Sequence, residues 1–249
     1  MVPSARERLN AAVFRGADSA VILRRLMRIT WYGHAAFAIE GKNSRGEDRK
    51  VILDPYNYPA CGGYLPIDET CDVVSVSHEN AKYHSDLSAI RGEPEVLRAL
   101  EIAGASRELK GIRFDAHRVF EDRQGNGPNA MVRFELDGVR IAHQGDLGHP
   151  LDAKGVEFLR GVDVLLALAG GAPTIALDDL VKLIRAVHPA FVVPMHFKTH
   201  KVNLKILPLD RFLDTAREFP RIEAGTSSFE ISREGLPASP TVLVLQHAR

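Results

Sequence analysis

The sequence predicts an α/β fold in one large domain, and three observations carry that prediction. Residues 28–53 read as consecutive strands, whereas residues 153–193 alternate helix, strand, helix, strand. No short-period repeat and no low-complexity linker divides the 249 residues, a length that one domain accommodates.

Residues 1–27, rich in Ala, Arg and Leu, are expected to form a helical N-terminal extension, which leaves 28–249 as the domain. Arg28-Ile29-Thr30-Trp31-Tyr32 and Ala36-Phe37-Ala38-Ile39 give two strands around a turn at Gly33-His34. Val51-Ile52-Leu53 is a third, closed by Asp54-Pro55. Residues 56–70 contain Pro59, Gly62, Gly63 and Pro66 and form a long loop expected to wall a pocket, together with a loop over 118–129. Val73-Val74-Ser75-Val76 reads as a buried strand that breaks into Ser77-His78-Glu79-Asn80-Ala81-Lys82-Tyr83-His84. Pro94 at a first turn predicts a helix over 94–100, and 111–114 read as a strand running into Asp115-Ala116-His117. Strands over 131–136 and 139–142 flank Asp137-Gly138, a two-residue hairpin signal, and the second leads into His143-Gln144-Gly145-Asp146-Leu147-Gly148-His149. Helices are then expected over 153–159, 177–187 and 209–219, with strands over 162–168, 191–193, 229–231 and 241–245. The strand over 191–193 leads into Pro194-Met195-His196.

Lys plus Arg and Asp plus Glu number 32 each, so net charge gives no global attraction to nucleic acid or an anionic membrane. Two cysteines exclude a disulfide framework and fit a reducing cytoplasm. No apolar run approaches the roughly 18 residues that span a bilayer. The expected partner is therefore a small-molecule substrate; no membrane or nucleic acid is implied, and a homo-oligomer is compatible.

His78, His117, Asp146 and His196 each follow an apolar strand, and four ligand-type residues at four strand ends can meet around one ion. His84 shares a short loop with His78 and can converge with it. Imidazoles with a carboxylate suit Zn²⁺, with Mn²⁺ or Fe²⁺ as alternatives. A cation held there lowers the pKa of water towards ~7 for attack on a carbonyl or phosphoryl centre, with Asp146 orienting that water. His34, His143 and His149 are expected to support the site from outside the ligand set, and Lys198 to lie on the surface or meet an anionic group.

The order of these motifs, with Asp54, Gly145-Asp146-Leu147-Gly148-His149 and Pro194-Met195-His196-Phe197-Lys198-Thr199, resembles the metallo-β-lactamase fold superfamily over 28 to about 213. The likeness is to its branch of small bacterial and archaeal metal-dependent hydrolases, which includes ascorbate-phosphate lactonase-like proteins. The resemblance implies a four-layer αββα sandwich of two mixed β-sheets flanked by helices. It also implies a hydrolase of a small ester, lactone or phosphate-bearing substrate, with Asp146 and His196 catalytic. His117 would be the third histidine of a first metal, Asp146 the bridging carboxylate and His196 the last histidine of a second. The family's first loop reads His-x-His-x-Asp-His, whereas this chain has His78, Asn80, Lys82 and Tyr83, with His84 one place beyond. One ion rather than two is therefore expected, held by His78, His117 and Asp146 with His84 or His196 assisting. Lys82 either imitates the missing charge or points outward. The alternative is a catalytically silent protein of the same fold acting as a binding module; a nuclease is a weaker third reading on the neutral charge.

Overall fold

The computed structural model describes residues 26–249. The expected helical extension over 1–27 lies outside the described residues except for Leu26 and Met27, and Met27 opens the first strand.

The strands in chain order are β1 (Met27–Gly33), β2 (Ala36–Lys42), β3 (Asp48–Leu53), β4 (Val73–Val76), β5 (Glu95–Arg98), β6 (Ser106–Leu109), β7 (Ile112–Phe120), β8 (Pro128–Leu136), β9 (Val139–His143), β10 (Val164–Leu168), β11 (Phe191–Met195), β12 (Arg221–Glu223), β13 (Ser228–Ile231) and β14 (Thr241–Val244). The α-helices are α1 (Ala153–Phe158), α2 (Leu177–Val187) and α3 (Leu209–Thr215). A six-stranded sheet runs β13-β1-β2-β3-β4-β5 and an eight-stranded sheet runs β12-β14-β11-β10-β9-β8-β7-β6. Both are mixed: β3, β4 and β5 pair in parallel in the first, as do β9, β10, β11, β14 and β12 in the second. This is the expected α/β sandwich of two mixed sheets.

Period-two alternation builds the first sheet. Phe37 and Ile39 on β2 with Val51 and Leu53 on β3 enter the main core, while Ala36, Ala38 and Ile52 face the other way into a second apolar cluster. That second cluster is covered by Tyr56, Cys61, Tyr64 and Ile67 of the long loop and by Val202 and Ile206. The loop over 56–70 is thus a lid on a core rather than the pocket wall its composition suggested.

The helices are crossovers between parallel strands of the second sheet, and α2 packs against both α1 and α3. In α2, Leu180, Val181, Leu183, Ile184 and Val187 form the buried stripe, Asp178 and Asp179 stand at the positive end of the helix dipole and Arg185 near the negative end. The Asp137-Gly138 turn joins β8 to β9 with φ of 48° and 71°, the left-handed pair that a tight hairpin requires.

Two local expectations are corrected. Residues 95–98 are strand β5, paired in parallel with β4 from Val73↔Glu95 to Val76↔Arg98, followed by a 3₁₀ turn over Ala99–Ile102. Pairing to a buried neighbour overrides the helix signal of Pro94. Strand β7 runs on to Phe120 rather than ending before Asp115, because it stays paired with β8 from Asp115↔Arg133 to Phe120↔Pro128.

Candidate metal centre

Parallel strands leave their carboxyl ends on one edge of each sheet, where loops can gather polar groups. From the first sheet come Asp54 directly after β3, His78 beyond β4, and His34 between β1 and β2. From the second come Asp146 in the loop after β9 and His196 directly after β11. His34, Asp54 and His196 hold positive φ of 51°, 42° and 53°, three of the six non-glycine residues that do so among the described residues, and backbone strain of this kind concentrates at functional sites. The His34 carbonyl accepts from the His196 N–H at 2.9 Å and from Trp31 Nε1 at 3.1 Å, which joins the two sheets at the site. Gly170, after β10, admits this arrangement: a Cβ there would lie 2.1 Å from the His196 carbonyl oxygen.

Asp54 sets the ring orientations. Its Oδ1 accepts from Ser77 N at 2.8 Å, and its Oδ2 accepts from Ser77 Oγ at 2.6 Å and lies 3.0 Å from His84 Nδ1. His84 therefore donates from Nδ1. Ser77 Oγ has given its proton to Asp54, so at 3.0 Å it accepts from His78 Nδ1. Both rings thus turn Nε2 towards Asp146, and the ligand atoms of His78, His84 and Asp146 lie within 4.8 Å of one another, as do those of His34, His84 and His196.

Asp146 Oδ2 stands 2.9 Å from His84 Nε2. His196 Nε2 is 3.5 Å from Asp146 Oδ1. His34 Nδ1 and Nε2, His78 Nε2, Asp146 Oδ1 and His196 Nδ1 are buried with no hydrogen-bond partner among the described residues. Each such group costs about 1–3 kcal/mol when left unpaired, and a divalent cation among them would satisfy the lone pairs. The donor set fits a metal ion.

The charge states agree with that. Burial lowers the pKa of His78, His196 and, most strongly, His34, with repulsion from neighbouring imidazoles adding to it, so these rings favour the neutral form that ligates. Burial alone would raise Asp146, but His84 and His196 more than offset it and hold it ionised. Burial likewise opposes charge on His84, yet Asp146 and Asp54 on its two sides push it up to about 10. A cation at His84 Nε2 would take the place of the second proton that these carboxylates favour on the ring.

Of the residues expected at the site, His78, His84, Asp146 and His196 are brought together. His117 is not. It lies in the middle of β7, where Ile112, Phe114 and Ala116 take the core side, so its ring goes to the other face and stacks on Phe158 of α1 at 5.3 Å. Lys82 is exposed and lies 4.9 Å over the Tyr83 ring, so no ammonium enters the centre. Lys198 donates to the Val202 and Leu204 carbonyls and holds that loop. His143 bonds the Ala35 carbonyl and Gly145 N, and His149 the Pro150 carbonyl and Phe120 N, so both are structural.

Two residues have more to do with the site than their sequence signals suggested. His34 is fully buried with its ring 4.2 Å from that of His196. Glu121, the residue after β7, places Oε1 3.3 Å from His78 Nε2. The site opens into a cleft of about 450 Å³ lined by Asn80, Tyr83, Glu121, Asp146, Thr174 and His196 among others. A larger cleft of about 900 Å³ lies elsewhere, and its Arg113, Arg133 and Arg140 are all paired to carboxylates.

Residues 28–196 match the beta-lactamase superfamily domain, and the chain belongs to that family. Among its curated relatives, a protein of Archaeoglobus fulgidus is 29% identical over 204 residues, covering 70% of this chain and 84% of the relative. One of Thermoplasma acidophilum is 27% identical over 195 residues with the same coverage. Both carry the name UPF0173 metal-dependent hydrolase. A crystal structure from Thermotoga maritima, described as a candidate zinc-dependent hydrolase of the metallo-beta-lactamase superfamily, superposes with a TM-score of 0.69 at 28% identity, covering 88% of this chain and all of that one.

Proposed function

We propose that this metal-dependent hydrolase cleaves a small ester, lactone or phosphate-bearing substrate, and that His78, His84, Asp146 and His196 hold one divalent cation. The observation that carries this is the set of buried, unpaired lone pairs converging from both sheets. When bound there, a cation supplies Lewis acidity, lowering the pKa of water and offsetting the negative charge that develops on a carbonyl or phosphoryl oxygen. Asp146, kept ionised, accepts a hydrogen bond from the attacking water and orients it. Asp54 and Ser77 fix the His84 and His78 rings so that neither has to reorganise during the reaction. His34, fully buried against the His196 ring, keeps bulk water off that side of the site, and Asn80, Tyr83 and Thr174 form the substrate side.

Zn²⁺ is the ion best suited to imidazoles with one carboxylate. Cys61 and Cys71 are both free thiols, in keeping with a reducing, cytoplasmic setting.

Elemental analysis of protein purified without added metal tests the centre. Wild type is expected to carry close to one equivalent of a transition metal, lost in His84→Ala and Asp146→Ala and retained in His117→Ala. Wild type that takes up no metal on reconstitution would instead indicate a silent binding module on this fold.

A further inference from the structure

Strand β7 is followed directly by a ligand-type residue, and that residue is Glu121. The backbone on both sides of it is clamped. Phe120 N donates to His149 Nε2 at 3.2 Å, and the Phe120 carbonyl accepts from Gly148 N at 2.8 Å. Glu121 N donates to the carbonyls of Asn126 at 3.1 Å and Gly127 at 2.9 Å. Two glycines make room: a Cβ on Gly148 would stand 1.6 Å from the Glu121 carbonyl oxygen, and one on Gly127 would stand 2.7 Å from Glu121 Cδ. Chain this closely packed fixes the backbone from which the Glu121 side chain starts.

It points at the centre. Glu121 Oε1 is 3.3 Å from His78 Nε2, a nitrogen that is buried, turned inward by Ser77 and without a hydrogen bond. The Glu121 side chain is 43% exposed and the His78 side chain 5%, so Glu121 meets the ring from the open, cleft side. Asp146 approaches the same cluster from within. Two carboxylates turned on one set of lone pairs repel each other unless a cation lies between them.

We propose that Glu121 is a direct ligand of the divalent cation, giving the centre two carboxylates and raising its Mn²⁺ affinity relative to Zn²⁺ above that of a site with imidazole at this position. Oxygen ligands suit Mn²⁺ and imidazole suits Zn²⁺, so the ratio of the two affinities reports the ligand, although Zn²⁺ binds more tightly in absolute terms. The proposal rests on the cation-centre reading above.

The test titrates the metal-free full chain with Mn²⁺ alone and Zn²⁺ alone, by calorimetry and by the Mn²⁺ electron paramagnetic resonance spectrum. Wild type, Glu121→Gln, Glu121→His and His84→Ala are compared. Glu121→Gln is expected to weaken Mn²⁺ by at least about tenfold and change its spectrum. Glu121→His is expected to keep Zn²⁺ binding while lowering the Mn²⁺ to Zn²⁺ affinity ratio by at least about tenfold. Unchanged affinities and spectrum in Glu121→Gln, with binding lost in His84→Ala, would overturn the ligand role and leave the centre standing. Loss of both ions in Glu121→His alongside undiminished Mn²⁺ binding in Glu121→Gln would assign Glu121 a structural role instead. Wild type that binds neither ion would overturn the centre itself.

Discussion

Asp54 acts at one remove from the centre, touching His84 directly and His78 through Ser77. Replacing it by Asn keeps its volume but offers an amide donor where the His84 ring and the Ser77 hydroxyl need an acceptor. Asp54→Asn is expected to weaken metal binding by about 10–100-fold in calorimetric titration, with the circular dichroism of the fold retained. His78, Asp146 and His196 were legible in the sequence because an apolar run stops just before each. His84 was legible as a displaced loop histidine. Glu121 was not, because Asp115, His117 and Arg118 made the run look finished early. Asp115 and His117 are the outer face of a strand that continues, and only the pairing with β8 reveals that.

At the scale of elements, the site depends on how closely two strand ends pass. Gly170 follows β10, and its missing Cβ lets the His196 carbonyl come to the neighbouring strand end. Gly170→Ala is expected to cost about 1–3 kcal/mol or more, read as a lowered thermal midpoint, and to weaken metal binding by displacing His196. A glycine after an apolar strand is ordinary in a sequence; the close approach that requires it involves a segment about 26 positions on, which local pattern does not encode. Strand β5 was hidden for a similar reason, since its partner β4 supplies what its own residues do not. The loop over 56–70 shows the reverse: its length marked it as important, but its role is set by the face it covers, with the Tyr64 ring within 2.4 Å of where a Gly33 Cβ would be.

For the whole molecule, a polar cluster fastens that loop to the C-terminal segment. Glu69 pairs with Lys50 and Arg249 and accepts from Tyr32 Oη at 2.6 Å. Burial alone would raise the Glu69 carboxyl; the hydrogen bonds from Lys50 and Tyr32 and the nearby charges more than offset it and hold it below its ordinary 4.5. A carboxyl depressed on folding contributes stability above its unfolded pKa, and that contribution disappears as pH falls through the folded value. Wild type is therefore expected to be more stable than Glu69→Gln at neutral pH, with the gap shrinking below pH 4.5, as read by urea unfolding across that range. The first sheet is closed by β13, whose Ser228 lies opposite Thr30, 198 positions earlier. While the chain is being made, the outer edge of β1 therefore meets no partner among the described residues until residue 231 has left the ribosome. A bare strand edge persists through most of translation, and that is the interval in which a chaperone has the most to shield.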